Sequence, residues 1–215
     1  MRASRRRTLI VACALVLALG SALSAHRRDE LLQAARIAVA PERVDIELDL
    51  TPGIDVADDV IADIDRDGDR ALSEDEKQAY VNRVSSPLAL ELDGRPLRVE
   101  SSASTFPELE AFRRGEGTIR LQAHARLSSV SEGAHQLVFR NAEDRDRSVY
   151  LANALVPESD RIAITGQRRD GAQREITIDF EMRAASSTSW PLWLLAIIAC
   201  AAGCGGLLTR STSAV

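Results

Sequence analysis

From Ile37 to Met182 the chain returns repeatedly to a period of two, and that alternation limits its folded form more than any other feature. Ile119, Leu121, Ala123, Ala125 and Leu127 alternate strictly with Thr118, Arg120, Gln122, His124 and Arg126. Residues two apart share one face of a strand, so such a segment buries one side and wets the other only as part of a sheet. The same period holds in Ile37 and Val39 and, beyond a turn at Pro41-Glu42, in Val44, Ile46, Leu48 and Leu50, which together read as a hairpin. The stretch His26 to Gln33 before it is ambiguous between a helical turn and the lead-in to a strand. Leu88, Leu90 and Leu92 precede Asp93-Gly94, a dipeptide suited to a two-residue turn, and Leu97 and Val99 follow it. Ser101 to Glu116 reads as a looser connection holding a short helix around Glu108 to Phe112. Further strands are predicted at Leu137 and Phe139 after a Glu132-Gly133 turn, at Val149 to Val156, at Arg161 to Thr165, and at Ile176 to Met182 beyond Asp170-Gly171. About nine short antiparallel strands with turn signals between them predict a mainly β fold, an antiparallel β-sandwich.

The period breaks once. Between Gly53 and Leu88 the apolar residues fall at helical spacing, first Val56, Val60, Ile61 and Ile64, then Tyr80, Val81 and Val84. Between those runs lies Asp65-Arg66-Asp67-Gly68-Asp69-Arg70-Ala71-Leu72-Ser73-Glu74-Asp75-Glu76. A twelve-residue EF-hand calcium loop needs side-chain oxygens at positions 1, 3 and 5, a backbone carbonyl at 7, a direct or water-bridged oxygen at 9 and a bidentate carboxylate at 12. Asp65, Asp67, Asp69, the carbonyl of Ala71, Ser73 and Glu76 supply that set, and Leu72 falls at the apolar position 8. A hard cation suits an all-oxygen shell, whereas zinc or copper would draw on histidines and thiolates. Position 6 usually holds glycine because the turn there takes positive φ, and here it holds Arg70. Sliding the frame back two residues puts Gly68 at position 6 with Asp63, Asp65 and Asp67 at 1, 3 and 5. It also puts Arg70 at the apolar position and Glu74 at the bidentate one, so the first frame is kept. A left-handed non-glycine residue costs roughly 1–2 kcal/mol, which predicts weakened affinity and a retained site. Asp55 with Asp58 is expected to cap the first helix, Ser73 with Glu76 forms a capping box for the second, and Ser85-Ser86-Pro87 ends it.

Both ends of the chain carry targeting signals. Arg2, Arg5, Arg6 and Arg7 precede the apolar run Leu9 to Leu19 and small residues up to Ala25, the pattern of a secretory signal peptide. Ile10-Val11-Ala12-Cys13 has the form of a lipobox, but the apolar run before Cys13 is short for that role. Trp190 to Leu208 contains no charge and is closed by Arg210, long enough to cross a bilayer with its positive flank inside. Ala201 with Gly205, and Ala202 with Gly206, have the small-xxx-small spacing that packs membrane helices. The expected organisation is a signal peptide over 1–25 and an exported domain over 26–185 with the EF-hand inserted at 54–86. A linker and transmembrane helix over 186–209 and a cytoplasmic tail over 210–215 follow. The exported domain then faces the periplasm or cell exterior on a single membrane anchor.

Charge sharpens this reading. The formal net charge is -5, and removal of the four signal arginines leaves the mature chain four units more negative. Ten carboxylates between Asp55 and Glu76 meet only Arg66 and Arg70, which favours a cation partner and argues against nucleic acid. Cys13 lies in the signal, and Cys200 with Cys204 in the span, so the exported domain must be held by its core without a disulfide. His26, as a mature N-terminus, could chelate copper, with His124 or His135 completing the site. No esterase elbow, zinc-protease motif, phosphate loop or exported cysteine nucleophile is present, and the chain reads as non-enzymatic.

His26 to Ile37, the phrase Asp49-Leu50-Thr51-Pro52-Gly53, the loop Asp65 to Glu76 and Asn153-Ala154-Leu155-Val156-Pro157 together resemble a group of exported bacterial EF-hand-domain proteins of unassigned biochemical role. The chain is also similar to the extracytoplasmic domain that precedes the membrane part of hydrogenase/urease-accessory nickel permeases. It departs from those permeases in having one span, so no transport activity is carried over. Ligand spacing and capping lead to the expectation of a calcium-ordered binding or structural module, and the second expectation is an accessory protein that serves a nickel, cobalt or copper permease as its membrane-protein partner. A structural envelope protein with an inactive loop is the third expectation.

Overall fold

β1 (Leu31–Val39) and β2 (Arg43–Pro52) pair antiparallel with Ile37 opposite Ile46 and Val39 opposite Val44. Every second residue of both strands is buried, as their alternation requires. The ambiguous segment before Ile37 is strand from Leu31 onward, with the polar Gln33 buried on the core face beside Leu31 and Ala35. The computed structural model describes residues 28–143 and 146–185. The signal peptide, His26, the span with its linker and the tail lie outside the described residues. Among the described residues no helix is long and apolar enough to cross a membrane.

The fold is mainly β, built from two five-stranded sheets. After β2 come two helices, α1 (Ala57–Ile64) and α2 (Glu74–Ser85), then β3 (Leu88–Leu92), β4 (Arg95–Leu97), β5 (Glu100–Thr105) and a short helix α3 (Leu109–Arg113). β6 (Ile119–Arg126), β7 (Gly133–Asn141), β8 (Ser148–Ala154), β9 (Ile162–Arg169) and β10 (Glu175–Met182) complete it. One sheet has the order β5-β6-β2-β1-β8 and the other β4-β3-β7-β10-β9. Ile46 and Leu48 of the first sheet and Leu137, Phe139, Ile176 and Phe180 of the second belong to one hydrophobic core. Burying each such side chain contributes about 1.5–3 kcal/mol, which is how the domain holds together without a disulfide.

Three expectations are corrected. The sheets are not wholly antiparallel: β1 and β8 run parallel, Leu31 beside Ser148 and Ile37 beside Ala154. A period of two says which face is buried and nothing about strand direction. The looser connection Ser101 to Glu116 contains a strand, β5, paired with β6 at the sheet edge. All six of its residues are exposed, so no buried face marked it as a strand. Finally, Asp55 does not cap α1. Val56 occupies the N-cap position with no side-chain bond, and Asp55 pairs instead with Arg28 at 3.3 Å. The helix starts one residue too late for the Asp55 carboxylate to reach its free amides. The tight turn at Asp93-Gly94, by contrast, takes the left-handed conformation at both residues, φ 50° and 75°, the geometry that such a hairpin demands.

Candidate metal centre

α1 and α2 enter and leave the acidic loop as the periodicity predicts. Val60, Ile61 and Ile64 of α1 and Tyr80, Val81 and Val84 of α2 are buried in the common core. Arg83 of α2 clamps the end of α1, donating from Nη2 to the Asp63 carbonyl at 3.1 Å and pairing with the Asp63 carboxylate at 3.5 Å. Asp63 thus lies within α1 and faces Arg83, and Asp65 follows at the C-cap of the helix. Leu72 anchors the loop in an apolar niche with Ile64, Phe106, Phe112 and Ile119.

The loop backbone wraps around its own carboxylates. Gly68 N and Arg70 N donate to Asp65 at 2.8 and 3.0 Å, Asp69 N to Asp67 at 3.1 Å, and Ala71 N to Asp69 at 2.7 Å. Arg66 N and Asp67 N donate to Glu76 Oε1 at 2.7 and 3.4 Å, and Ser73 N to Glu76 Oε2 at 3.0 Å. Successive amides pointing at carboxylates offset the repulsion among the acids and fix where each oxygen sits. Arg70 has φ 68°, the positive φ expected at position 6, and Gly68 has φ 74°.

Carboxylate oxygens of Asp65, Asp67 and Glu76, one from each, lie within 4.8 Å of one another. This spacing suits carboxylates converging on one cation, with oxygens at about 2.3–2.6 Å from calcium. Ser73 adjoins the group, its Oγ donating to Glu76 Oε2 at 2.7 Å. Asp69 stands outside it, turned to the Ala71 amide. Ala71 would contribute through its carbonyl, as position 7 does in such loops.

The capping box at the start of α2 is present, Ser73 Oγ accepting from Glu76 N while the Glu76 carboxylate accepts from Ser73 N. Hydrogen bonds from the Ser73 hydroxyl and amide and from Arg66 N pull the Glu76 carboxyl down to about 2. Glu76 therefore keeps its charge, and the cap its acceptor, until the medium is strongly acidic.

The copper site expected at His26 rests on a residue outside the described ones. His124 lies on β6 of the first sheet and His135 on β7 of the second, and among the described residues no histidine joins a ligating cluster. His135 has another partner that sequence separation hid: its Nδ1 lies 2.7 Å from Asp93 Oδ2 across 42 residues. Ser131 beside them invites comparison with a Ser-His-Asp triad. In a triad Nε2 would face the serine hydroxyl, whereas here it lies 2.8 Å from the Ser131 carbonyl. A nitrogen that must donate to a carbonyl cannot serve as a general base.

No protein-family model matches the chain, and no curated protein matches it either.

Proposed function

We propose that the protein is a calcium-binding EF-hand protein of the cell envelope. It is a β-sandwich with the helix-loop-helix inserted between β2 and β3, anchored by its C-terminal span and facing the periplasm or cell exterior. The reading rests on one observation, the convergence of Asp65, Asp67 and Glu76 oxygens within 4.8 Å in a loop bounded by two core-packed helices. Asp65, Asp67, Asp69 and Glu76 are the side-chain ligands, Ala71 a backbone ligand, and Ser73 a direct or water-bridged one. Lone extracellular sites bind calcium at about 10⁻⁴ to 10⁻³ M, so the ion is structural or docking and not a signal. It offsets the repulsion among the ten carboxylates between Asp55 and Glu76 and orders the insertion on the sandwich.

Equilibrium dialysis of the full chain in detergent against millimolar calcium tests this reading, with nickel and copper in parallel. One calcium retained per chain is expected. Nickel or copper retained in preference to calcium would favour an accessory protein for a transition-metal permease, and no metal retained would favour a structural protein with an inactive loop. Resistance of the chain to alkaline carbonate extraction from membranes tests the anchor separately.

A further inference from the structure

Both ring nitrogens of His135 face oxygens that can only accept. Nδ1 lies 2.7 Å from the Asp93 carboxylate and Nε2 2.8 Å from the Ser131 carbonyl. A neutral imidazole carries one N–H, so it would leave a lone pair against a lone pair at one of these contacts. Only the imidazolium satisfies both. The histidine side chain is 10% exposed and packs on the Phe180 ring at 5.6 Å, so it cannot swing out to water without disturbing the core. From this geometry we propose that His135 is a pH-dependent latch that ties the connection 127–132 to the β3–β4 turn when protonated and releases it when neutral.

The surroundings decide which contact breaks. Asp93 is fixed in place, its Oδ1 accepting from Gln136 N at 2.9 Å and its own amide donating to the Gln136 carbonyl at 2.9 Å. When one proton leaves, the remaining one stays on Nδ1, where the acceptor is charged. The bond to Ser131 is therefore the one that is lost. Other charged groups nearby are Arg95 on β4, Glu132 in the connection itself, and Asp179 and Glu181 on β10. Asp179 is already engaged by Arg168 and Gln136, and Glu181 is exposed. No second carboxylate takes over the imidazole, so the Asp93 pair governs its charge. Consistent with this, the Asp93 hydrogen bond holds the His135 ring above the ordinary imidazole value of 6.5, against its burial and with help from the Ser131 carbonyl. Burial pushes Asp93 up, but the hydrogen bonds from His135 and Gln136 N bring it below its usual range.

A group whose folded value is raised contributes stability fully below its unfolded value and loses it as pH rises through the folded value. The latch is thus closed in acid and neutral media and opens toward alkaline pH. Opening frees one wall of a cavity of about 480 Å³ between the β3–β4 hairpin and residues Ser128–Ser131. Leu97 and Val130, half-buried against the core where they line this cavity, become more exposed.

Nitrogen-15 NMR of the imidazoles in the wild-type full chain, titrated with pH, reads the charge directly, with His135→Gln used only to assign the signal. Expected are two protonated nitrogens at neutral pH and a midpoint above the ordinary histidine value, lowered in Asp93→Asn. The Ser131 carbonyl carbon-13 shift should move with the same midpoint in the wild type, as loss of its bond from Nε2 implies. A single neutral tautomer at pH 6, or a Ser131 carbonyl shift that stays flat through the titration, overturns the proposal.

Discussion

The most buried polar contact between the two sheets joins Gln33 of β1 to Asn141 of β7, and its removal makes a sharp test of how the sheets are held in register. The two amides are 1% and 3% exposed. Asn141 Nδ2 donates to Gln33 Oε1 at 2.8 Å, Gln33 Nε2 donates to Glu143 Oε2 at 2.8 Å, and Glu143 N donates to Asn141 Oδ1 at 3.1 Å. Gln33→Leu keeps the volume but leaves the buried Asn141 amide without its acceptor, which costs about 1–3 kcal/mol. Asn141→Leu strands Gln33 Oε1 and the Glu143 amide and costs a similar amount. In the double variant neither amide is orphaned by the other, so its loss should fall about 1–2 kcal/mol short of the sum. For a domain of this size a 2 kcal/mol single loss lowers Tm by about 4–8 °C. Urea and thermal unfolding of the fragment 28–185, followed by far-UV circular dichroism, measure all four corners of the cycle. Near-neutral single variants, or a double variant additive within about 0.5 kcal/mol, would refute the view that this pair registers the sheets.

Two further substitutions probe backbone geometry. Arg70→Gly relieves a left-handed residue at φ 68° and removes a cation from the acidic loop. Against the greater unfolded-state freedom of glycine, the expected net is tighter calcium binding by about 2- to 5-fold, read by competition with a chelating dye. Gly117→Ala would drive a methyl group to 2.7 Å from Pro107 Cγ and 3.0 Å from Phe112. Displacing that packed pair should cost about 1–3 kcal/mol in urea unfolding, despite the gain in chain stiffness that alanine normally brings.

The readable parts of this chain were those where one local rule decided the outcome. Strict alternation from Thr118 to Leu127 fits only a half-buried strand, and β6 follows it with Ile119, Leu121, Ala123 and Ala125 inside. Asp93-Gly94 demanded a left-handed turn, and Ser73 with Glu76 demanded a helix start between them. The capping box and the apolar anchor Leu72 were legible for the same reason. What stayed hidden depends on partners distant in sequence. The stretch ending at Gln33 read as ambiguous, and the buried amide partner that explains Gln33 lies 108 residues away. β5, as an exposed edge of serines, carries no face to recognise, and the parallel seat of β8 beside β1 leaves no trace in periodicity. The His135–Asp93 bridge was illegible although both residues had been singled out, the one as a metal candidate and the other as a turn. Within the loop, Asp69 has the spacing of a ligand and its carboxylate accepts from the Ala71 amide, while oxygens of Asp65, Asp67 and Glu76 lie within 4.8 Å of one another.

Calorimetric titration of the fragment 28–185 with calcium, beside an Asp65→Ala, Glu76→Ala double variant, tests the central claim most directly. Saturable binding of one ion near or below millimolar, abolished in the variant, is the predicted result. Equal heats from both proteins, or none from either, would contradict it.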